Sequence, residues 1–214
     1  MISLETYLQK PCATLSIPYW KAKNIAIPGN MRIVHNNDFS EELLQEYSDE
    51  PYFRLCHNMQ NLSRPILSGY DIITVGADAV DIMVSVINDS YIDLQVSIEQ
   101  LQSYTMTPVY CPDLWVLIQD SVTGVCVGCG IADLDTEAEE LILEWIQVLP
   151  AYRGKNIGTA IVKELLWRSK EYAKFATVSG KVNNVTRPEM LYRKCEFTGE
   201  DVWHILTKKE DNHD

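Results

Sequence analysis

No stretch of this sequence approaches the roughly 20 consecutive apolar residues that a membrane-spanning helix needs. The longest candidates, such as Leu141 to Leu149, are interrupted by Glu144 and Gln147. The opening residues, MISLETYLQKPC, lack a basic start and a continuous apolar core and carry an acid at Glu5, so they do not read as a secretory signal, and a cytoplasmic location is expected. Positive charge is also scarce. Eighteen Lys and Arg stand against 30 Asp and Glu, a net −12. Such a surface disfavours phosphate polymers and anionic lipid, so no nucleic acid and no membrane is expected as a partner, and cationic substrates are favoured. Repeats, low-complexity tracts and Gly/Ser linkers are missing, which argues for one continuous fold. What remains is ordinary globular composition: 214 residues, 46% hydrophobic and 22% charged.

Metal-ligand patterns are lacking as well. The six cysteines (12, 56, 111, 126, 129 and 195) lie among apolar neighbours, as buried reduced thiols do, and disulfides are not required. Cys126 and Cys129 form a CxxC inside the alternating run VCVGCGIA, where residues three apart are expected on opposite faces of a strand. That geometry suits neither a shared metal nor a redox pair. The four histidines (35, 57, 204 and 213) show no ligand spacing to these cysteines, so no metal is expected.

The elements read as a mixed α/β class. Residues 1–65 differ in texture: a short helical start SLETYLQ, strand-like pieces around ATLSIPYW and MRIVH, and an amphipathic stretch SEELLQEY with Ser40 as its N-cap. They are expected to form an added N-terminal layer on a core of residues 66–214. From Tyr70 the pattern predicts a strand DIITV and helices near 78–88 and 96–104. Three antiparallel strands then follow, LWVLIQ, VCVGCGIADL and LILEWIQVL, the last stopped by Pro150. Ile157, Ile161, Val162, Leu165, Leu166 and Ser169 fall at helical spacing and predict a helix over 157–173, with Lys163, Glu164, Arg168 and Lys170 elsewhere around it. A strand KFATVSGKV, a short helix opened by Pro188 and a final strand DVWHILTKK complete the chain.

The segment VLPAYRGKNIGTAIVKELL carries the chemistry. An apolar strand ends at a proline, and a short basic loop with Gly154 and Gly158 runs straight into a helix, the architecture of an anion site. Its glycine spacing matches neither the GxxxxGK[ST] phosphate loop nor the dinucleotide GxGxxG. An ordinary strand-to-helix connection with a stray RGK is the alternative.

These residues resemble the GCN5-related N-acetyltransferases, the GNAT superfamily, whose signature [R/Q]xxGx[G/A] follows a strand ending V-x-P. Val148, Pro150, Arg153 and Gly158 match, and Asn156 stands in the place of the first signature glycine. Asn tolerates the left-handed backbone region better than most residues. A second stretch, LYRKCEF at 191–197, resembles the family's N-x-x-A-x-x-L-Y-x-K-x-G-F through Leu191, Tyr192, Lys194 and Phe197. Pro188 replaces the alanine, Glu196 replaces the glycine, and Asn184 lies one residue further from the tyrosine than the pattern has it. The element order from residue 70 onward is also similar. The resemblance implies a mostly antiparallel central sheet flanked by helices, behind an N-terminal extension.

The implied activity is direct acyl transfer from acetyl-CoA to an amine acceptor, a small molecule or a protein amino group, without a covalent enzyme intermediate. A non-catalytic acyl-CoA-binding module of the same fold is the alternative, and a homodimer is left open. The resemblance places the pantetheine arm on the backbone of Ile146, Gln147 and Val148. It places the pyrophosphate on the amides of Arg153, Gly154, Lys155, Asn156, Ile157, Gly158 and Thr159, with Arg153 and Lys155 adding charge, and a further cofactor contact at Asn184. Tyr192 matches the family's usual general acid, the phenol that protonates the departing thiolate; a packed tyrosine is its bland reading. Glu144, set in an apolar strand on the expected face of Ile142, Ile146 and Val148, is the candidate base, or else a carboxylate reaching solvent. His57 and Trp20 belong to the N-terminal layer that could shape an acceptor pocket, His57 being more simply a satisfied core histidine. TEAEE at 136–140 reads as a solvated turn.

Overall fold

The computed structural model of the chain describes residues 2–91 and 94–209. Their elements run, in chain order, α1 (Leu4–Gln9), α2 (Pro11–Thr14), α3 (Tyr19–Asn24), β1 (Met31–His35), β2 (Tyr47–His57), β3 (Tyr70–Thr74), α4 (Val80–Ser90), α5 (Ile98–Tyr104), β4 (Tyr110–Asp120), β5 (Cys126–Asp135), β6 (Glu140–Val148), α6 (Ile157–Ser169), β7 (Phe175–Lys181), α7 (Pro188–Lys194) and β8 (Thr198–Lys208). The class is the mixed α/β one expected, with eight strands, mostly antiparallel, and flanking helices. None of the described helices is long and apolar enough to cross a membrane. Two compact units are distinguished, residues 57–176 and residues 1–56 with 177–214, so the N-terminal segment shares its unit with the C-terminal end.

In the unit of residues 57–176 the strands lie in the order β6-β5-β4-β3, each pair antiparallel. The LWVLI run of β4 is apolar throughout because both faces are covered. Trp115 and Leu117 point to a core shared with Met83, Ile87 and Leu101 of α4 and α5, while Val116 points toward Ile161 and Leu165 of α6. Helix α4 supplies Val80, Met83, Val84 and Ile87 at i, i+3, i+4 and i+7, the stripe that packs against a sheet. Helix α5 is capped by Ser97, whose Oγ accepts from the Gln100 amide at 3.1 Å.

Helix α6 ends at Ser169, earlier than the periodicity predicts; the Ser169 hydroxyl turns back to donate to the Leu165 carbonyl at 2.9 Å. Glu164, which lies off the apolar spacing of α6, is 1% exposed. Arg168 at 3.0 Å and Arg64 at 3.3 Å bracket its carboxylate, which makes the buried charge tenable.

In the unit of residues 1–56 and 177–214 the order is β1-β8-β2-β7, with β8 antiparallel to both β1 and β2. Ser40 caps a short 3-10 turn over Glu41–Gln45 through its Oγ, as expected of an N-cap. ATLSIPYW is not a strand: its first residues finish α2 and its last two begin α3, because Pro11 starts one helix and the backbone turns extended at Pro18 before the next. The eleven-residue β2 is unannounced in the sequence, since Asp49, Glu50 and Pro51 break its apolar alternation. Its inner residues Phe53 and Leu55 are nonetheless buried.

Candidate active site

The strand-to-helix junction is built on close packing. A Cβ on Gly130 would stand 2.3 Å from Ile161 Cγ2, and one on Gly128 would stand 2.8 Å from the Gln147 carbonyl oxygen and 3.4 Å from Ile157 Cγ2. Two glycines on β5 thus let α6 settle onto the sheet, bringing its first turn beside the end of β6. Between them, residues 150–156 make the loop. Pro150–Tyr152 form a 3-10 turn, Gly154 has φ +77°, and Asn156, the N-cap of α6, has φ 61° and ψ 10°. Asn156 therefore holds the left-handed conformation that a glycine would take most readily, which its substitution had to preserve.

The first bond into the helix runs from the Ala160 amide to the Asn156 carbonyl at 3.0 Å. The amides of Ile157, Gly158 and Thr159 have no intrahelical acceptor and lie at the positive end of the thirteen-residue α6. Residues 153–156 are exposed, while Gly158 and Thr159 are half-buried.

Both basic side chains of the loop are engaged within the protein. Arg153 donates from Nε to the Val148 carbonyl at 3.1 Å and from a terminal nitrogen to the Ser90 carbonyl at 2.8 Å. Lys155 sits over the Tyr152 ring, 4.7 Å from its centroid. Asp120, on the β4–β5 turn, is held below the usual carboxylate range by the amides of Thr123 and Val122, with Lys155 adding a smaller pull. Gln147 donates from Nε2 to the Tyr91 hydroxyl at 2.8 Å.

Strand β6 carries a bulge that the sequence does not announce. Ile131 pairs with Trp145 and Ala132 with Leu143, so Glu144 is the extra residue. The side-chain alternation resets there. Leu143, Ile146 and Val148 share the face turned to α6, and Ile142, Trp145 and Gln147 share the other. The expected common face of Ile142 with Ile146 and Val148 is corrected accordingly. Glu144 is half-buried and stands at the turning point.

The same effect corrects the CxxC. Ile118 pairs with Gly128 and Gln119 with Cys126, making Val127 a bulge residue, so Cys126 and Cys129 fall on one face and pack into one core. Both are free thiols. Burial pushes each thiol up in pKa, and for Cys129 the nearby Cys126 adds to it. This is the opposite of what a reactive thiol needs. Core packing stands, for a different reason than strand parity.

In the other unit, α7 presents Tyr192, 7% exposed, with its ring 6.2 Å from Phe53 and 5.9 Å from Phe197 between centroids. The helix ends in a left-handed cap. The Phe197 amide bonds the Tyr192 carbonyl at 3.1 Å and the Glu196 amide bonds the Arg193 carbonyl at 3.0 Å, with Glu196 at φ 67°. Glu196, like Asn156, occupies the left-handed position where the family pattern has glycine. Asn184 uses its Oδ1 locally, accepting from the Thr186 amide at 2.9 Å and the Thr186 hydroxyl at 2.7 Å.

His57 is 2% exposed and accepts the Met59 amide on Nδ1 at 2.9 Å, a satisfied core histidine. Trp20 lies in α3, with Lys21 over its ring. The expected solvated turn at 136–140 is exposed only at Thr136 and Glu137; Glu140 is fully buried at the start of β6. Ser90, whose carbonyl accepts from Arg153, and Tyr91, whose hydroxyl accepts from Gln147, are not singled out from the sequence, and no local pattern marks them.

Residues 112–199 match the family model described as an acetyltransferase (GNAT) domain. No curated protein matches the sequence. Among solved structures, the chain is similar to a GCN5-related N-acetyltransferase from Sphaerobacter thermophilus (TM-score 0.67, 15% identity, 88% of this chain and 63% of that one). It is also similar to a GNAT-family acetyltransferase from Colwellia psychrerythraea (TM-score 0.62, 14% identity, 94% and 72%). A third likeness is to a GCN5-related N-acetyltransferase from Kribbella flavida (TM-score 0.57, 14% identity, 86% and 69%). At these identities the likeness concerns the fold, and this chain spans less than two thirds of the Sphaerobacter protein.

Proposed function

We propose that this chain, whose residues 112–199 match the acetyltransferase (GNAT) domain model, transfers an acetyl group from acetyl-CoA to an amine. The observation that carries the proposal is the left-handed Asn156 at the head of α6. Asn156 holds the left-handed conformation at the place where the signature has glycine, and the first-turn amides of α6 are left without intrahelical acceptors, as an anion site requires.

The diphosphate would lie on the amides of residues 153–159, and the pantetheine arm along the backbone of Ile146 to Val148. Acetyl-CoA supplies an activated thioester; the protein's own part is orientation and proton movement. Tyr192 is assigned to protonate the leaving thiolate, and Glu144 to take the proton from the attacking ammonium, directly or through water. A net charge of −12 favours a cationic acceptor. A co-crystal structure with acetyl-CoA tests the cofactor half. Diphosphate density away from residues 153–159 removes the assignment. Steady thiol release from acetyl-CoA across a panel of amines tests the catalytic half; binding without turnover would instead identify a binding module.

A further inference from the structure

The side chain of the signature residue Arg153 is committed within the protein. Its guanidinium spans two elements: Nε takes the Val148 carbonyl at the end of β6, and a terminal nitrogen takes the Ser90 carbonyl in the last turn of α4. The Ser90 carbonyl is one of the orphan acceptors at a helix C-terminus, where the dipole is negative and a cation is favoured. One residue further, the Tyr91 hydroxyl accepts from Gln147 of β6, and the Tyr91 ring stands edge-on to Trp145, 6.4 Å between centroids. Consecutive residues of the α4 terminus are therefore tied to β6 and the loop by two side chains of the segment expected to hold the cofactor.

We infer that Arg153 and Gln147 are positioning residues, a latch that fastens the end of α4 to the end of β6 and sets the phosphate loop in its ligand-ready shape. The inference rests on the acetyl-CoA reading above and gives these two side chains a different task from contacting the cofactor. A guanidinium can bridge two carbonyls on separate elements because its donors point in fixed, divergent directions. A lysine ammonium, with the same charge at a single point, is a poor replacement. Charge at the phosphate and bridging by the latch thus make opposite predictions for Arg153→Lys. A loop that is in its binding shape for only a fraction of the time binds more weakly by that fraction.

The test uses the full chain and acetyl-CoA in calorimetric titrations over a salt series, with steady-state kinetics and amide exchange in the absence of ligand. Arg153→Ala and Arg153→Lys are expected to weaken binding about tenfold or more, both with the parental slope of affinity against salt. KM for acetyl-CoA should rise while kcat stays within about threefold, a split that mere loss of folded protein does not produce. Amides of residues 149–156 should exchange faster in both variants. Tyr91→Phe, a gentle change away from the loop, should weaken binding a few-fold, and by less when added to Arg153→Ala than alone. Parental affinity in Arg153→Lys with a flattened salt slope in Arg153→Ala would make Arg153 a phosphate ligand and overturn the latch, as would parental affinity in every variant. If the parent protein itself fails to bind acetyl-CoA, the cofactor reading falls. Unchanged exchange at residues 149–156 in Arg153→Lys would then remove the latch separately.

Discussion

Gly130 of β5 lies directly beneath Ile161 of α6, so close that a Cβ on the glycine would stand 2.3 Å from Ile161 Cγ2. The same Cβ would meet Val116 at 3.1 Å and Leu165 at 3.2 Å, so no rotamer of a single neighbour relieves it. Gly130→Ala is therefore expected to destabilise the protein by about 1–3 kcal/mol, the usual range for overpacking a close-fitted core. Since the loop hangs on α6, acetyl-CoA affinity should drop with it. Chemical denaturation measures the first effect, and an unchanged midpoint would mean that α6 can ride higher on the sheet.

Glu196 presents the reverse case. It sits at φ 67° in the C-terminal cap of α7, a conformation that glycine adopts without strain and a residue with a Cβ does not. Its side chain is exposed. Glu196→Gly should stabilise the fold by about 1 kcal/mol, the left-handed penalty slightly outweighing the added freedom of the unfolded chain. A thermal midpoint that falls instead would show that the Glu196 side chain makes a contact worth more than the strain.

The two helices that begin at Ile157 and Pro188 show where the sequence is legible. Tyr192 could be placed on a short helix, and Asn156 at the head of a longer one, because capping and turn chemistry are local and leave local marks. The bulges at Val127 and Glu144 leave none. Each adds one residue to a strand, reverses the facing of everything beyond it, and depends on a partner strand that the sequence does not identify. For that reason the parity argument misplaced both the CxxC pair and Ile142. The tie from Arg153 to Ser90 spans 63 positions and one carbonyl oxygen, which no side-chain pattern encodes. Strand β2 was hidden because burial at Phe53 and Leu55 overrode a polar and proline-bearing first half.

The buried thiols give a prediction with a definite sign. Burial raises Cys126 and Cys129 above the ordinary thiol pKa, which lowers the thiolate fraction at any given pH. Alkylation of either in the native protein at pH 8 should be far slower than in denaturant, with Cys129 the slower of the two. Replacing both by Ala should leave transfer activity in place. Rapid native labelling of Cys129, read by mass spectrometry, would reopen a thiol role.

Gly158 occupies the first turn of α6, where a diphosphate would meet the backbone. Gly158→Glu adds bulk and a negative charge beside the helix N-terminus. Acetyl-CoA should bind at least about tenfold more weakly, roughly 1.4 kcal/mol, while far-ultraviolet circular dichroism and the thermal midpoint change little. Full affinity in this variant, measured by calorimetry, would move the cofactor away from the loop.

Tyr192→Phe separates packing from proton transfer. The ring lies between Phe53 and Phe197 and is nearly buried, and the substitution keeps all of that contact while deleting one hydroxyl. Stability should therefore change by no more than about 0.5–1.5 kcal/mol, the usual net worth of one hydrogen bond. A phenol that donates to the departing thiolate acts only in the transition state. Its loss should lower kcat by about 10² to 10⁴ and leave KM for acetyl-CoA nearly unchanged. The alkaline limb of the kcat profile should disappear as well, because that limb reports deprotonation of the acid where chemistry limits turnover. Steady-state kinetics between pH 6 and 10, beside thermal unfolding of the same samples, decides the matter. A Phe variant with kcat within threefold of the parent and its alkaline limb intact would leave Tyr192 as a packing residue, with the thiolate protonated by water or another group.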